Sequence, residues 1–281
     1  MTVNVQDVAS LKWLIEAGAD EAVGDSPRNA FTESAAKKKV GSGEPTEVIA
    51  ASLHPVASST LNRSSGKSVP LDLEAPTAAK ANAQELSKTA GTLGELAAAL
   101  ATFEGCALKY TASNLVFGDG NPQADIMFIG EAPGADEDRE GKPFVGVSGK
   151  LLDRMIAAIQ LDRTTSYITN ILPWRPPGNR KPSATEVAIC LPFICRHIDL
   201  VDPKVLVFVG GTSASALLNS NQGITRLRGR WTNYCADKGD IPAIPIFHPA
   251  YLLRQPSLKR DAWKDLRAIR RKLDETADTG T

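Results

Sequence analysis

The chain has 281 residues, with 32 Lys/Arg against 32 Asp/Glu and 42% hydrophobic content. Zero net charge excludes a generally polycationic nucleic-acid binder, so any site for a polyanion must be a local patch. No apolar run approaches the roughly 20 residues of a membrane span, and "MTVNVQDVASLKWLIEAGADEA" lacks a basic-then-apolar leader. The four cysteines form no CxxC pair. The expectation is therefore a cytoplasmic protein with buried thiols rather than a disulfide framework.

In chain order, residues 10–23 ("SLKWLIEAGADEAV") read as a short N-terminal helix within a segment 1–23. Residues 24–82 are rich in Ala, Ser, Pro, Lys and Glu and read as a flexible linker. A helical lead-in occupies 83–103. Within it "TLGELAAALATFEG" (92–105) carries a capping box, Thr92 with Glu95 three residues on. From 104 to 275 apolar runs of strand length alternate with helical patterns, and 276–281 form a tail. Strands are expected at 125–129 ("DIMFI"), 166–172, 204–209 and 243–247; helices at 149–160, 183–200, 212–219 and 257–273. Fully apolar strands alternating with helices predict a parallel sheet covered on both faces. Such sheets bind ligands beyond the carboxyl ends of their strands. Glu131, Asn170, Gly210 and His248 all fall at or just past predicted strand ends.

Five residue types there invite chemistry. Glu131 sits at the mouth of a buried strand, and "KPFVGVSG" sends Phe144 back to the same end. Ser148 is the expected N-cap of the following helix, whose free amides suit a phosphate. Asn170 lies in an apolar strand, where an unpaired amide is costly. Its donor and acceptor match any ligand edge that presents an acceptor and a donor side by side, as O4 and N3–H of uracil do. His248 leads into "HPAYLLRQP", which puts Tyr251, Leu252 and Leu253 on a loop, as in apolar wedges inserted into base stacks. Two acid-free basic stretches, "NILPWRPPGNRKP" (170–182) and "TRLRGRW" (225–231), suit phosphate contacts.

"GEAPGADEDREGKPFVGVSGKLLDRM", "YITNILPWRPPGNRKP", "LVFVGG" and "FHPAYLLRQP", in that order, resemble the family 4 uracil-DNA glycosylases over about 104–273. The resemblance implies a three-layer αβα sandwich around a four-stranded parallel sheet. It implies a monofunctional, monomeric repair enzyme that removes uracil from DNA and leaves an abasic site. By motif position, Glu131 would activate water and stabilise the cationic sugar, and His248 would donate to uracil O2. Gly130, Ala132, Pro133, Gly134, Phe144 and Asn170 would form the base pocket. DNA contacts would come from Ser148, Gly149, Arg175, Pro176, Pro177, Gly178, Asn179 and Arg180. Gly211, Thr212, Ser213, Pro249, Tyr251, Leu252, Leu253 and Arg254 would add to them.

One feature departs from the family. Its members hold a [4Fe–4S] cluster on four cysteines. Here Lys109 and Trp174 stand at two of those positions, and only Cys106 and Cys190 match. Cys195 lies five residues beyond Cys190, about 140° further round a helix, and is a poor substitute. The expectation is no cluster, with Trp174 packed into the vacated space, and a subclass with a different base preference stays open. A protein that holds uracil or abasic DNA without cutting the bond is the competing reading, and a small-molecule nucleotide module a third.

Overall fold

The computed structural model describes residues 75–278. The expected helix at 10–23 and most of the expected linker lie outside them. The described chain starts with α1 (Pro76–Thr89) and α2 (Leu93–Thr102). Thr92 caps α2 as expected: its hydroxyl accepts from the Glu95 amide at 3.2 Å, and Glu95 accepts from the Gly91 amide. The helix from Pro76 corrects the expected linker boundary at 82. Pro suits a first helical turn, where its missing N–H has no partner to lose. The lead-in is also no separate element. Ala79, Ala83, Leu96, Leu100 and Phe103 belong to the same core as the sheet, and α1 packs along α5 (Ala184–Val201).

The sheet has six strands in the order β1-β3-β2-β4-β6-β5. These are β1 (Asp119–Gly120), β2 (Ile126–Gly130), β3 (Tyr167–Asn170), β4 (Val205–Val209), β5 (Thr232–Ala236) and β6 (Gly239–Ile246). The four expected strands form its parallel centre, β3-β2-β4-β6. Two antiparallel edges, β1 on β3 and β5 on β6, extend the four-stranded expectation. They are two and five residues long and partly exposed, so neither carries an apolar run.

Burial on both faces explains the apolar strands. Successive side chains of a strand point to opposite faces. Met127, Ile129, Leu206 and Phe208 enter a core with α1, α2 and α5. Ile126, Phe128, Val205, Val207 and Val209 enter the other core, with α4 (Val147–Ala157) and α9 (Lys259–Asp278). α9 runs past the expected boundary at 275.

The remaining elements edge the strand ends: α3 (Ala135–Glu140), α6 (Gly211–Leu217), α7 (Ile224–Leu227) and α8 (Pro249–Arg254). Three 3-10 turns, 107–110, 177–179 and 256–258, join them. The segment 249–254, expected as a loop, is helical because His248 caps it and Pro249 opens it. No described helix is long and apolar enough to cross a membrane.

Candidate active site

The carboxyl ends of β2, β3, β4 and β6 open into one cleft of about 1470 Å³. Glu131, Phe144, Asn170, Thr212 and His248 all line it. In the sheet Gly130 is the register partner of Asn170. The ladder continues one step further, as Leu172 donates its amide to the Glu131 carbonyl at 3.1 Å. That places the Glu131 side chain at the end of the sheet rather than on a free loop.

Glu131 Oε2 accepts from the Thr212 hydroxyl at 2.5 Å. The bond ties the end of β2 to the first turn of α6 and orients the carboxylate. Asn170 is buried, and among the described residues its side-chain amide has no hydrogen-bond partner, yet it lines the cleft. A polar group so placed calls for a ligand with complementary atoms. Gly130 is needed for this arrangement. A Cβ there would come within 2.3 Å of Asn170 Oδ1 and 2.6 Å of Phe144 Cζ. Only glycine lets amide and ring meet over the end of β2.

His248 caps α8, and its Nδ1 accepts from the Ala250 amide at 3.1 Å. A nitrogen that accepts carries no proton, so Nε2 bears the hydrogen of the neutral ring. Burial lowers its pKa to about 4, helped by the positive charge of Arg254 and opposed by Glu137. The ring is thus a neutral donor at pH 7. Phe144 stacks beside it, with ring centroids 5.7 Å apart and planes at 29°.

Three acids of "GADEDRE" have distinct partners. Glu137 accepts from the Gly134 amide at 3.0 Å and the Gly146 amide at 2.8 Å. One carboxylate therefore clamps the Glu131 loop to the Phe144 loop. Asp138 is buried and accepts from the amides of Ser113 and Asn114. Asp136 pairs with Arg139. In the sequence the only hint of the clamp is a glutamate three residues after Gly134, the spacing of a capping box.

The expected DNA contacts divide. Ser148, Pro176, Asn179, Arg180, Gly211, Thr212, Tyr251 and Arg254 line the cleft, with Ala132, Pro133 and Gly134 beside Glu131. Arg175 donates to Asn179 Oδ1 at 2.7 Å, and Pro177 and Gly178 are exposed on the same loop. Arg180 forms a two-pronged pair with Glu186, which holds that carboxyl down to about 2.

Other placements differ from expectation. The helix after Phe144 starts at Val147 on a Gly146 cap, so Ser148 is not its N-cap. Gly149, Ser213, Pro249 and Leu252 are buried. Ser213 donates to the Gly210 carbonyl at 3.1 Å and does not reach the cleft. Of the apolar pair Leu252 and Leu253, only Leu253 is exposed. In "TRLRGRW", Arg228 turns inward to Asp265 and lies 5.1 Å over the Phe247 ring, which removes it from any phosphate grip.

The [4Fe–4S] group implied by the family does not fit the residues present. Cys106 and Cys190 are buried with sulfurs 4.0 Å apart. Trp174, 2% exposed, packs in the same core. Lys109 pairs outward with Glu104 at 2.7 Å. Two thiols and an indole are not a four-thiolate cage.

Similarity to known families and proteins gives the chain's family. Residues 117–267, more than half of the chain, match the uracil DNA glycosylase superfamily. A type-4 uracil-DNA glycosylase of Sulfurisphaera tokodaii is 40% identical over 170 residues, covering 59% of this chain and 77% of the relative. Those of Archaeoglobus fulgidus and Thermotoga maritima are 40% and 38% identical over 168 and 164 residues. These matches cover 58% and 57% of this chain and 84% of each relative. An acid, an amide and a neutral imidazole at the strand ends, on a sheet of this order and in a chain of this similarity, make it a member of the uracil DNA glycosylase superfamily.

Proposed function

We propose that the chain is a monofunctional uracil-DNA glycosylase that hydrolyses the N-glycosidic bond of uracil in DNA and leaves an abasic site. The observation that carries the reading is the pairing of Glu131, oriented by Thr212, with His248, whose free hydrogen is on Nε2, across one cleft. The target bond is inaccessible in a stacked duplex, so the nucleotide is first extruded. Its base stacks on Phe144, and the Asn170 amide pairs with O4 and N3–H. As the bond breaks, the sugar gains positive charge and the uracil negative charge. Glu131 stabilises the first and orients the water; Nε2–H of His248 donates to O2 and stabilises the second.

The groups that meet at the strand ends are a carboxylate, an amide and an imidazole. Among the described lining residues Lys181 is the one lysine, and it lies on the Pro-rich loop rather than at a strand end. That favours water over an amine as nucleophile. The reading includes a monomer, since Glu131, Asn170 and His248 of a single chain already line one cleft.

The reading includes the absence of a cluster, supported by Trp174 and Lys109 at two ligand positions. Iron and acid-labile sulfide in protein purified without oxygen would overturn that part. The activity is tested with a labelled oligonucleotide holding one uracil, followed by alkali to cut abasic sites. Cleavage at the uracil that is lost in Glu131→Ala supports the enzyme. DNA that is retarded but uncut supports a damage-binding protein instead.

A further inference from the structure

Phe144 has φ +55°. A bulky side chain in that region is an outlier, and such conformations persist only where the surroundings over-determine them. Two neighbours do so here. Gly149, in the first turn of α4, has no side chain; a Cβ there would lie 1.7 Å from the Phe144 carbonyl oxygen. Arg163, nineteen residues further on, donates to both the Pro143 carbonyl, at 3.0 Å, and the Phe144 carbonyl, at 2.5 Å. A turned backbone brings these successive carbonyls to one planar guanidinium, whose fork of donors suits two acceptors.

Arg163 is itself held. Its Nε donates to Asp153 in α4 at 3.0 Å, and Nη1 donates to Asp119 at 2.8 Å. Asp119 belongs to the two-residue strand β1, whose pairing with Tyr167 and Ile168 fixes that carboxylate beside Arg163. The chain of contacts runs from the sheet edge through Arg163 to the backbone that aims the Phe144 ring at His248.

We propose that Arg163 is a positioning residue of the base pocket, acting through Phe144 by holding its backbone in the strained turn that presents the ring. The proposal rests on the reading that Phe144 stacks on the extruded uracil. It extends the function of this site to a residue that holds the Phe144 backbone rather than the base.

The test is a double-mutant cycle on kcat/KM with the single-uracil oligonucleotide. Arg163→Ala is expected to lower kcat/KM by about tenfold to a hundredfold, the scale of one lost backbone constraint. Phe144→Leu lowers it too, and the double variant is expected to be no worse than Phe144→Leu alone, since Arg163 has no ring left to aim. If the two losses multiply, Arg163 acts on the fold at large and the proposal fails. If Phe144→Leu is impaired while Arg163→Ala is not, the stacking reading survives and this proposal falls. If Phe144→Leu is unimpaired, the stacking reading itself falls. Arg163→Lys keeps the charge but loses the fork, and it carries the same cycle if Arg163→Ala does not fold.

Discussion

The hydroxyl of Thr212 donates to Oε2 of Glu131 at 2.5 Å, linking the first turn of α6 to the end of β2. The two residues are 81 positions apart in the chain. Among the described residues no group donates to Oε1, which leaves it open to water while the hydroxyl holds the carboxylate in one orientation. Removal of Glu131 and removal of its partner should therefore differ in degree. Glu131→Gln is expected to lower the single-turnover rate by about a hundredfold to a thousandfold, as for other preorganised electrostatic groups. Thr212→Val should lower it by about tenfold, the worth of one hydrogen bond to a charged group. A Thr212→Val enzyme with the native rate would show that the contact orients nothing.

His248 and His197 are both held neutral by burial, with pKa values lowered to about 4 and about 3 from the usual 6.5. In the unfolded chain both take up a proton near pH 6.5, while in the folded protein they do not. The unfolded state thus binds more protons as pH falls, and stability drops from pH 6.5 downward through about 4 and 3. Thermal melts between pH 8 and 4 should show Tm falling below pH 6.5. The imidazole NMR signals of His248 should stay at neutral-ring positions down to pH 5. A His248 signal titrating near 6.5 would contradict the neutral donor.

Leu253 is 38% exposed at the end of α8, whereas its neighbour Leu252 is in the core. An exposed apolar side chain beside the cleft suits insertion into the space an extruded base leaves. Leu253→Ala is expected to lower excision from duplex DNA by about tenfold, the scale of the unstacking it assists. Excision from single strands should change little, because no stack needs opening. Tm should also hold, since the residue adds little to the core. Equal losses on both substrates would rule out a wedge.

Trp174 is buried in the same core that holds Cys106 and Cys190. Trp174→Ala should destabilise the fold by about 3–5 kcal/mol, the range for truncating a buried aromatic. Urea denaturation measures it. A loss below about 1 kcal/mol would mean that the indole is not packed as a replacement for a cluster.

The sequence by itself determined the central strands, because runs such as "VLVFV" can be satisfied only by burial on both faces. It also determined which residues stand at the strand ends, since a strand stops where its apolar run stops. It under-read the edges, where β5 is half exposed and β1 has two residues. It misjudged the 249–254 segment, because bulky residues after a proline fit a loop as well as a helix. Tertiary structure decided what those positions do. "TRLRGRW" reads as three equivalent cations until the fold sets Arg228 against Asp265. Glu137 reads as one acid in an acidic loop until Gly134 and Gly146 both donate to it. Thr212 meets Glu131, and Arg163 meets Phe144, only after the chain has crossed between elements. A side chain's charge and shape belong to the sequence, but its hydrogen-bond partners and burial come from whatever the fold brings within about 3 Å.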